Sequence, residues 1–181
     1  MTPAAVLERL RGIEGKLASR PDAFEWQRAV LGETLSLDSL ARVERALPCA
    51  LPPLLRALYL EVGGEIALRW SLRPACAADF AHDLASRAWG AFIIHPPTIE
   101  AVRDEYDELV PRYVAFAGND NGRVFAIDAE TGAVVDYDHE EPERASRVYG
   151  TFDAFVEGEL GRGFVFTADD ASGLERFFAE E

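Results

Sequence analysis

The sequence predicts an α+β fold, a single and mostly antiparallel sheet with flanking helices. Two patterns predict it. Amphipathic helical segments dominate the first third of the chain. From Tyr113 onward, YVAFAGNDNGRVFAIDAETGAVVDYDHEEP alternates like sheet and turns at glycine. Consecutive hairpins imply antiparallel pairing, and helices gathered around them imply a layer on one side of the sheet. A chain of 181 residues that is 49% apolar can bury a core of its own.

The elements follow in order. Thr2-Pro3 reads as an N-cap and a first-turn proline, and Val6, Leu10, Ile13 and Leu17 mark one helical face. A second short helix is expected from Ala23 to Leu31, with Phe24 and Trp26 as its bulky members and Gly32 as its stop. Leu37, Leu40, Val43 and Leu47 repeat at helical spacing until Pro48 breaks the pattern. Pro52-Pro53 opens another helix with Leu54, Leu55, Leu58 and Tyr59 apolar, and Gly63-Gly64 is expected to end it as a left-handed cap. Ile66, Leu68 and Trp70 alternate as a strand.

Ala75 to Ala88 is expected to be helical, Ala91 to Ile94 a short strand, and Thr98 to about Tyr106 a helix. Tyr113 to Ala117 is the next strand, and Gly118-Asn119-Asp120-Asn121-Gly122 is a loop of turn formers. Val124, Ala126 and Asp128 then face one way, and Arg123, Phe125 and Ile127 the other. Ala129 to Gly132 is a hairpin turn with glycine where positive φ is cheap. Val134 to Asp138 returns, and Arg147 to Tyr149 adds a strand. Thr151 caps a helix with Phe152, Phe155, Val156 and Leu160 apolar, and a last helix spans Ala171 to Ala179. The expected core includes Leu58, Trp70, Phe116, Phe125, Ile127, Phe152 and Phe155.

The formal net charge is −14. Such a surface repels nucleic acid and anionic membrane, and it attracts a cationic partner. No apolar run approaches the roughly 20 residues of a spanning helix. The N-terminal stretch is amphipathic, carries glutamates and lacks the apolar core of a secretion signal, so the expected location is the cytoplasm. Cys49 and Cys76 make neither a disulfide framework nor a metal-ligand spacing.

Catalytic chemistry finds little support. There is no glycine-rich phosphate loop followed by lysine, and the 118–122 loop fails the calcium-loop pattern. His82 lies beside Asp79 and Asp83 and reads as solvated surface, whereas His95 ends a strand before two prolines. Asp136, Asp138 and His139 offer hard oxygens and an imidazole to a divalent ion, as in a small metal-dependent hydrolase. A strand end running into a charged loop explains the same residues more simply, because no second ligand cluster completes a shell. No metal and no cofactor are therefore expected. The acidic residues from Asp128 to Glu143 also make a negative field suited to a basic protein partner. The candidate partner surface is Asp120, Asp136, Tyr137, Asp138, His139, Glu140 and Glu141, with Gly63, Gly64, Gly122 and Gly132 as backbone-geometry residues.

ALPCALPPLLRALYLEVGGEIAL resembles a helix, Gly-Gly, strand signature of the SUKH superfamily, at Leu51-Pro52, Tyr59-Leu60 and Gly63-Gly64. The Tyr113 to Pro142 stretch is similar to that family's later hairpin, and VYGTFDAFVEGEL to its closing helix through Phe152 and Phe155. The resemblance runs from about Leu37 to Leu160. The superfamily includes fungal cell-wall-assembly regulators and many bacterial immunity proteins. The resemblance implies a SUKH-like α+β domain over residues 33–181, preceded by a helical extension over 1–32. It implies a non-catalytic binding scaffold whose partner is a cognate protein toxin, such as a basic nuclease or a deaminase. A regulatory interaction module without a toxin is the alternative within the same resemblance.

Overall fold

The computed structural model describes residues 1–80, 88–95, 113–118, 124–137, 145–166 and 171–179. Helix α1 (Pro3–Ser19) starts at Thr2, whose hydroxyl accepts the Ala5 N–H, and buries Val6, Leu10, Ile13 and Leu17. This is the stripe that its 3.6-residue periodicity predicts. Strand β1 (Phe24–Leu31) follows, then α2 (Leu37–Ala46), α3 (Pro53–Glu61) and β2 (Ile66–Leu72). A short 3₁₀ turn (Pro74–Phe80) leads to β3 (Trp89–Ile94). Strands β4 (Tyr113–Gly118), β5 (Val124–Asp128), β6 (Val134–Tyr137) and β7 (Ala145–Tyr149) come next. Helix α4 (Phe152–Gly161), the short β8 (Val165–Phe166) and α5 (Ser172–Ala179) close the chain.

The strands make one antiparallel sheet in the order β1-β2-β3-β4-β5-β6-β7. Strand β3 is shared at one side: Ile93 and Ile94 pair with β4, whereas Trp89 and Gly90 pair with β8. The sheet is α+β as its hairpins predict. One face carries Ile66, Leu68, Trp70 and Leu72 from β2, Val114 and Phe116 from β4, and Phe125 and Ile127 from β5. These join the buried faces of α1, α3, α4 and α5 in a single core. All seven expected core residues belong to it. Its aromatic part has two centres. Phe24, Trp70, Phe80, Phe177 and Phe178 meet at one end, and Phe116, Phe125, Phe152 and Phe155 at the other. Each ring buried there contributes roughly 1.5–3 kcal/mol through area removed from water.

The helix expected from Ala23 to Leu31 is a strand. Phe24 is buried, Glu25 exposed and Trp26 half-buried, which is the alternation of sheet. Trp26 lies directly opposite Trp70 and Gln27 opposite Arg69 in register with β2. Cross-strand packing of aromatic residues outweighs the helical propensity of the segment. The helix expected over Ala75 to Ala88 is a 3₁₀ turn as far as Phe80, and its remainder lies outside the described residues. So does the helix expected from Thr98. In β5 the face of Ala126 and Asp128 is buried as fully as that of Phe125 and Ile127.

Gly63 and Gly64 punctuate α3 as expected, but by another mechanism. Among the described glycines only Gly132 and Gly163 have positive φ. What Gly63 requires is space. A Cβ there would lie 2.6 Å from the Gly32 carbonyl oxygen, and one on Gly64 would lie 3.1 Å from that of Glu33. The chain leaving β1 passes against this turn, with Gly32 N–H donating to Glu65 O at 2.8 Å and Gly64 N–H to Glu33 O at 2.7 Å. The paired glycines are a seat for a neighbouring backbone.

Candidate functional site

The hairpin at the heart of the acidic stretch is built by its turn. Asp128 N–H donates to Ala133 O, and Gly132 N–H to Asp128 O, both at 2.8 Å. The Asp128 carboxylate accepts the Glu130 N–H at 2.9 Å, and Gly132 takes φ +73°. This is the role expected of Gly132.

The turn sets the register of β6, and the register decides which acids are displayed. Asp136 lies opposite Phe125 on β5 and Arg147 on β7, and Val134 opposite Ile127 and Tyr149. Asp136 therefore shares the core face with Val134 and is 1% exposed. Its expected place on a displayed acidic surface is corrected: period-two alternation from Val134 turns its carboxylate inward. Tyr137 ends β6, paired with Val124 and Ala145. Asp120, Gly122, Asp138, His139, Glu140 and Glu141 lie outside the described residues.

Beneath β7 sits a charged cluster that sequence reasoning missed. Glu159, on the inner face of α4, is 4% exposed. Its carboxylate accepts from the Tyr149 hydroxyl and from the Arg162 guanidinium, and Arg147 Nη1 stands 3.6 Å away. Arg162 also donates to Glu175 on α5 at 3.2 Å. Burial, with Glu159 second, pushes the Tyr149 phenol up to about 12. One signal was present in the sequence: Glu159 falls inside the apolar stripe of Phe152, Phe155, Val156 and Leu160. The cluster ties the edge strand β7 to both C-terminal helices and sets the position of its backbone.

The C-terminus of α4 is fixed as well. Gly163, at φ +64°, follows the helix, with Gly163 N–H donating to Leu160 O and Phe164 N–H to Glu159 O. This double bond pattern closes the orphan carbonyls of the last turn. The Gly163 carbonyl in turn accepts the Trp70 indole N–H at 2.8 Å.

At the other end of the sheet, Glu25, Gln27, Arg69 and Ser71 line a cleft of about 490 Å³. Glu25 is held by Arg73 at 3.4 Å. Nucleophile chemistry draws no support from Cys49: burial first, and Asp128 second, push its thiol up, the opposite of activation. Cys76 donates to Asp22 O. Among the described residues no group of three or more His, Cys, Asp or Glu side chains could hold a metal ion, and no helix is long and apolar enough to cross a membrane.

No curated protein and no solved structure matches the chain. The sequence profile of the SMI1/KNR4 family (SUKH-1) matches residues 34–158, from the segment seated against Gly63-Gly64 through β7 and most of α4. With that match over more than half its length, this chain belongs to the SMI1/KNR4 family, SUKH-1.

Proposed function

We propose that the chain is an immunity-type protein that binds a cognate bacterial toxin directly and neutralises it. The observation that carries the reading is the SUKH-1 match, which spans the Gly-Gly seat, the acidic hairpin and most of α4 together. A formal charge of −14 supports it, since a negative surface speeds encounter with a cationic protein and suits a nuclease, whose substrate cleft is basic. On this reading the chain is a cytoplasmic binder and not an enzyme. Residues 33–181 are the binding domain and 1–32 its N-terminal extension. Contact falls on the acidic exit from β6, at Tyr137, Asp138, His139, Glu140 and Glu141, with Asp120 in the neighbouring loop.

Co-expression with each toxin gene encoded beside this one tests the reading. Growth is rescued by the native chain, and a one-to-one complex is recovered at low salt. Changing Asp138, Glu140 and Glu141 together to lysine abolishes rescue and leaves the melting temperature intact. A complex that survives these substitutions and high salt moves contact elsewhere on the surface. Failure to bind or protect against any adjacent toxin sinks the immunity reading.

A further inference from the structure

The β1 end of the sheet carries a polar square on the face away from the core. Phe24 on β1 and Trp70 and Leu72 on β2 belong to the core, so alternation turns Glu25, Gln27, Arg69 and Ser71 to the other face. Register sets these four corner to corner: Glu25 lies opposite Ser71, and Gln27 opposite Arg69. Facing corners have Cβ atoms about 5 Å apart, and the diagonals span about 7–8 Å. One diagonal runs from Glu25, a carboxylate, to Arg69, a guanidinium. The other runs from Gln27, an amide, to Ser71, a hydroxyl. The four line the cleft of about 490 Å³, a size that holds a small molecule. Gly90 on β3 lines it too and brings no side chain into it. The strands beneath are held in register, because β2 pairs with β1 from Phe24 to Gln27 and with β3 from Ile66 to Ser71 without a break.

We propose that this cleft binds a dipeptide in its zwitterionic form, with the carboxylate at Arg69 and the ammonium at Glu25. The site goes beyond the toxin-binding reading and does not depend on it. Charge disfavours simpler ligands. A bare anion meets the repulsion of a chain at −14, and a bare cation meets Arg69 and also Arg73, whose Nη1 stands 3.4 Å from Glu25. A molecule with one charge of each sign and no net charge meets neither. Length then selects among zwitterions. Strand side chains stand roughly perpendicular to the sheet, so the charged ends are about as far apart as the diagonal. An extended dipeptide covers about 7 Å, whereas a single amino acid covers about half of that and a tripeptide about 10 Å. The remaining corners suit the middle of the ligand. Gln27 and Ser71 each donate and accept, which is what the C=O and N–H of one peptide group require. Arg73 holds Glu25 through a half-exposed ion pair of the kind that is worth little in water, so the carboxylate turns to an ammonium at small cost.

The test uses the full chain and follows its N–H signals by NMR. Dialanine, titrated to millimolar concentration, shifts the Gln27 side-chain amide and the backbone amides of Glu25–Gln27 and Arg69–Ser71, and the shifts saturate. Dialanine amide lacks the carboxylate, and N-acetyl-dialanine lacks the ammonium. Each binds about tenfold more weakly, the loss of one hydrogen-bonded charge. Alanine and trialanine fall off by a similar factor. Two variants assign the ends. In Glu25→Gln the preference for dialanine over its N-acetyl form disappears, and the preference over its amide stays. In Arg69→Gln the reverse holds. Each preference is a ratio within one protein, so a change in stability leaves it unaffected. No saturable shift, shifts confined to other strands, equal binding of alanine, or a preference that survives its substitution overturns the site. Toxin neutralisation is measured apart from these titrations, and its failure leaves the dipeptide site standing.

Discussion

Gly63 stands so close to Gly32 that a Cβ on it would lie 2.6 Å from the Gly32 carbonyl oxygen. The obstacle is backbone on both sides, since the Glu65 carbonyl is 3.0 Å from the same point. Gly63→Ala must therefore move one of two strands of main chain, and it costs about 2–4 kcal/mol, in the range of strained overpacking. Gly12→Ala is the control. Gly12 lies in the interior of α1 with nothing near its Cβ position, so alanine there raises stability by about 0.5–1 kcal/mol. Chemical denaturation of the two variants reads opposite signs. Equal signs would show that Gly63 is a flexible joint and not a seat.

The Glu159 cluster predicts a non-additive pair. Glu159→Ala leaves the Tyr149 hydroxyl and Arg162 without the carboxylate that accepts from both, and costs about 2–4 kcal/mol. Tyr149→Phe costs less, about 1–2 kcal/mol, because only one buried bond is lost. The double variant falls short of the sum by about 1 kcal/mol, the coupling a shared network shows. Additive values in a double-mutant cycle would mean that the two groups do not communicate.

The helices were legible where one stripe faces one core. Val6, Leu10, Ile13 and Leu17 in α1, and Leu54, Leu55, Leu58 and Tyr59 in α3, are buried as their spacing predicts. Strand β1 was not legible, because FEWQRAVL mixes aromatics with good helix formers. Its state is decided by Trp70, far along the chain and directly across from Trp26. Gly63-Gly64 was visible as punctuation, whereas its cause was not, since the group it avoids sits on Gly32. Asp136 misled for a different reason. Its face follows from Val134, but a carboxylate in a charged run reads as exposed, and that its cross-strand neighbour is Arg147 emerges only once β7 is paired with β6. The partner surface was the least legible part, because charge marks a field without marking a contact.

Alkaline pH gives a further check on Tyr149. Its phenol is pushed up to about 12, above the ordinary value near 10, by burial and then by Glu159. Between these values the unfolded chain has lost the proton and the folded chain still holds it. Stability is thus fully present below about pH 10 and falls as pH rises toward 12. Tyr59, buried and bonded to His95 O, loses stability in the same direction, so the comparison must be with Tyr149→Phe. The native chain loses more stability than the variant between pH 9 and pH 11, measured by urea midpoints in both. Parallel pH profiles would show that the folded state does not hold that proton.

Helix α1 lies outside the matched family region, yet Leu10 and Leu58 are buried in the same core. Helix α1 packs on α3 and α4, and β1 pairs with β2 along most of its length. Leu10→Ala is expected to cost about 2–5 kcal/mol, as much as Leu58→Ala, because both leave a cavity among fixed neighbours. Both variants unfold in one transition, seen alike by Trp fluorescence and by far-ultraviolet circular dichroism. A Leu10→Ala variant with native stability, or with a separate early transition, would make residues 1–32 a detachable addition. Loss of stability equal to that of Leu58→Ala makes them part of one folding unit with the matched family region.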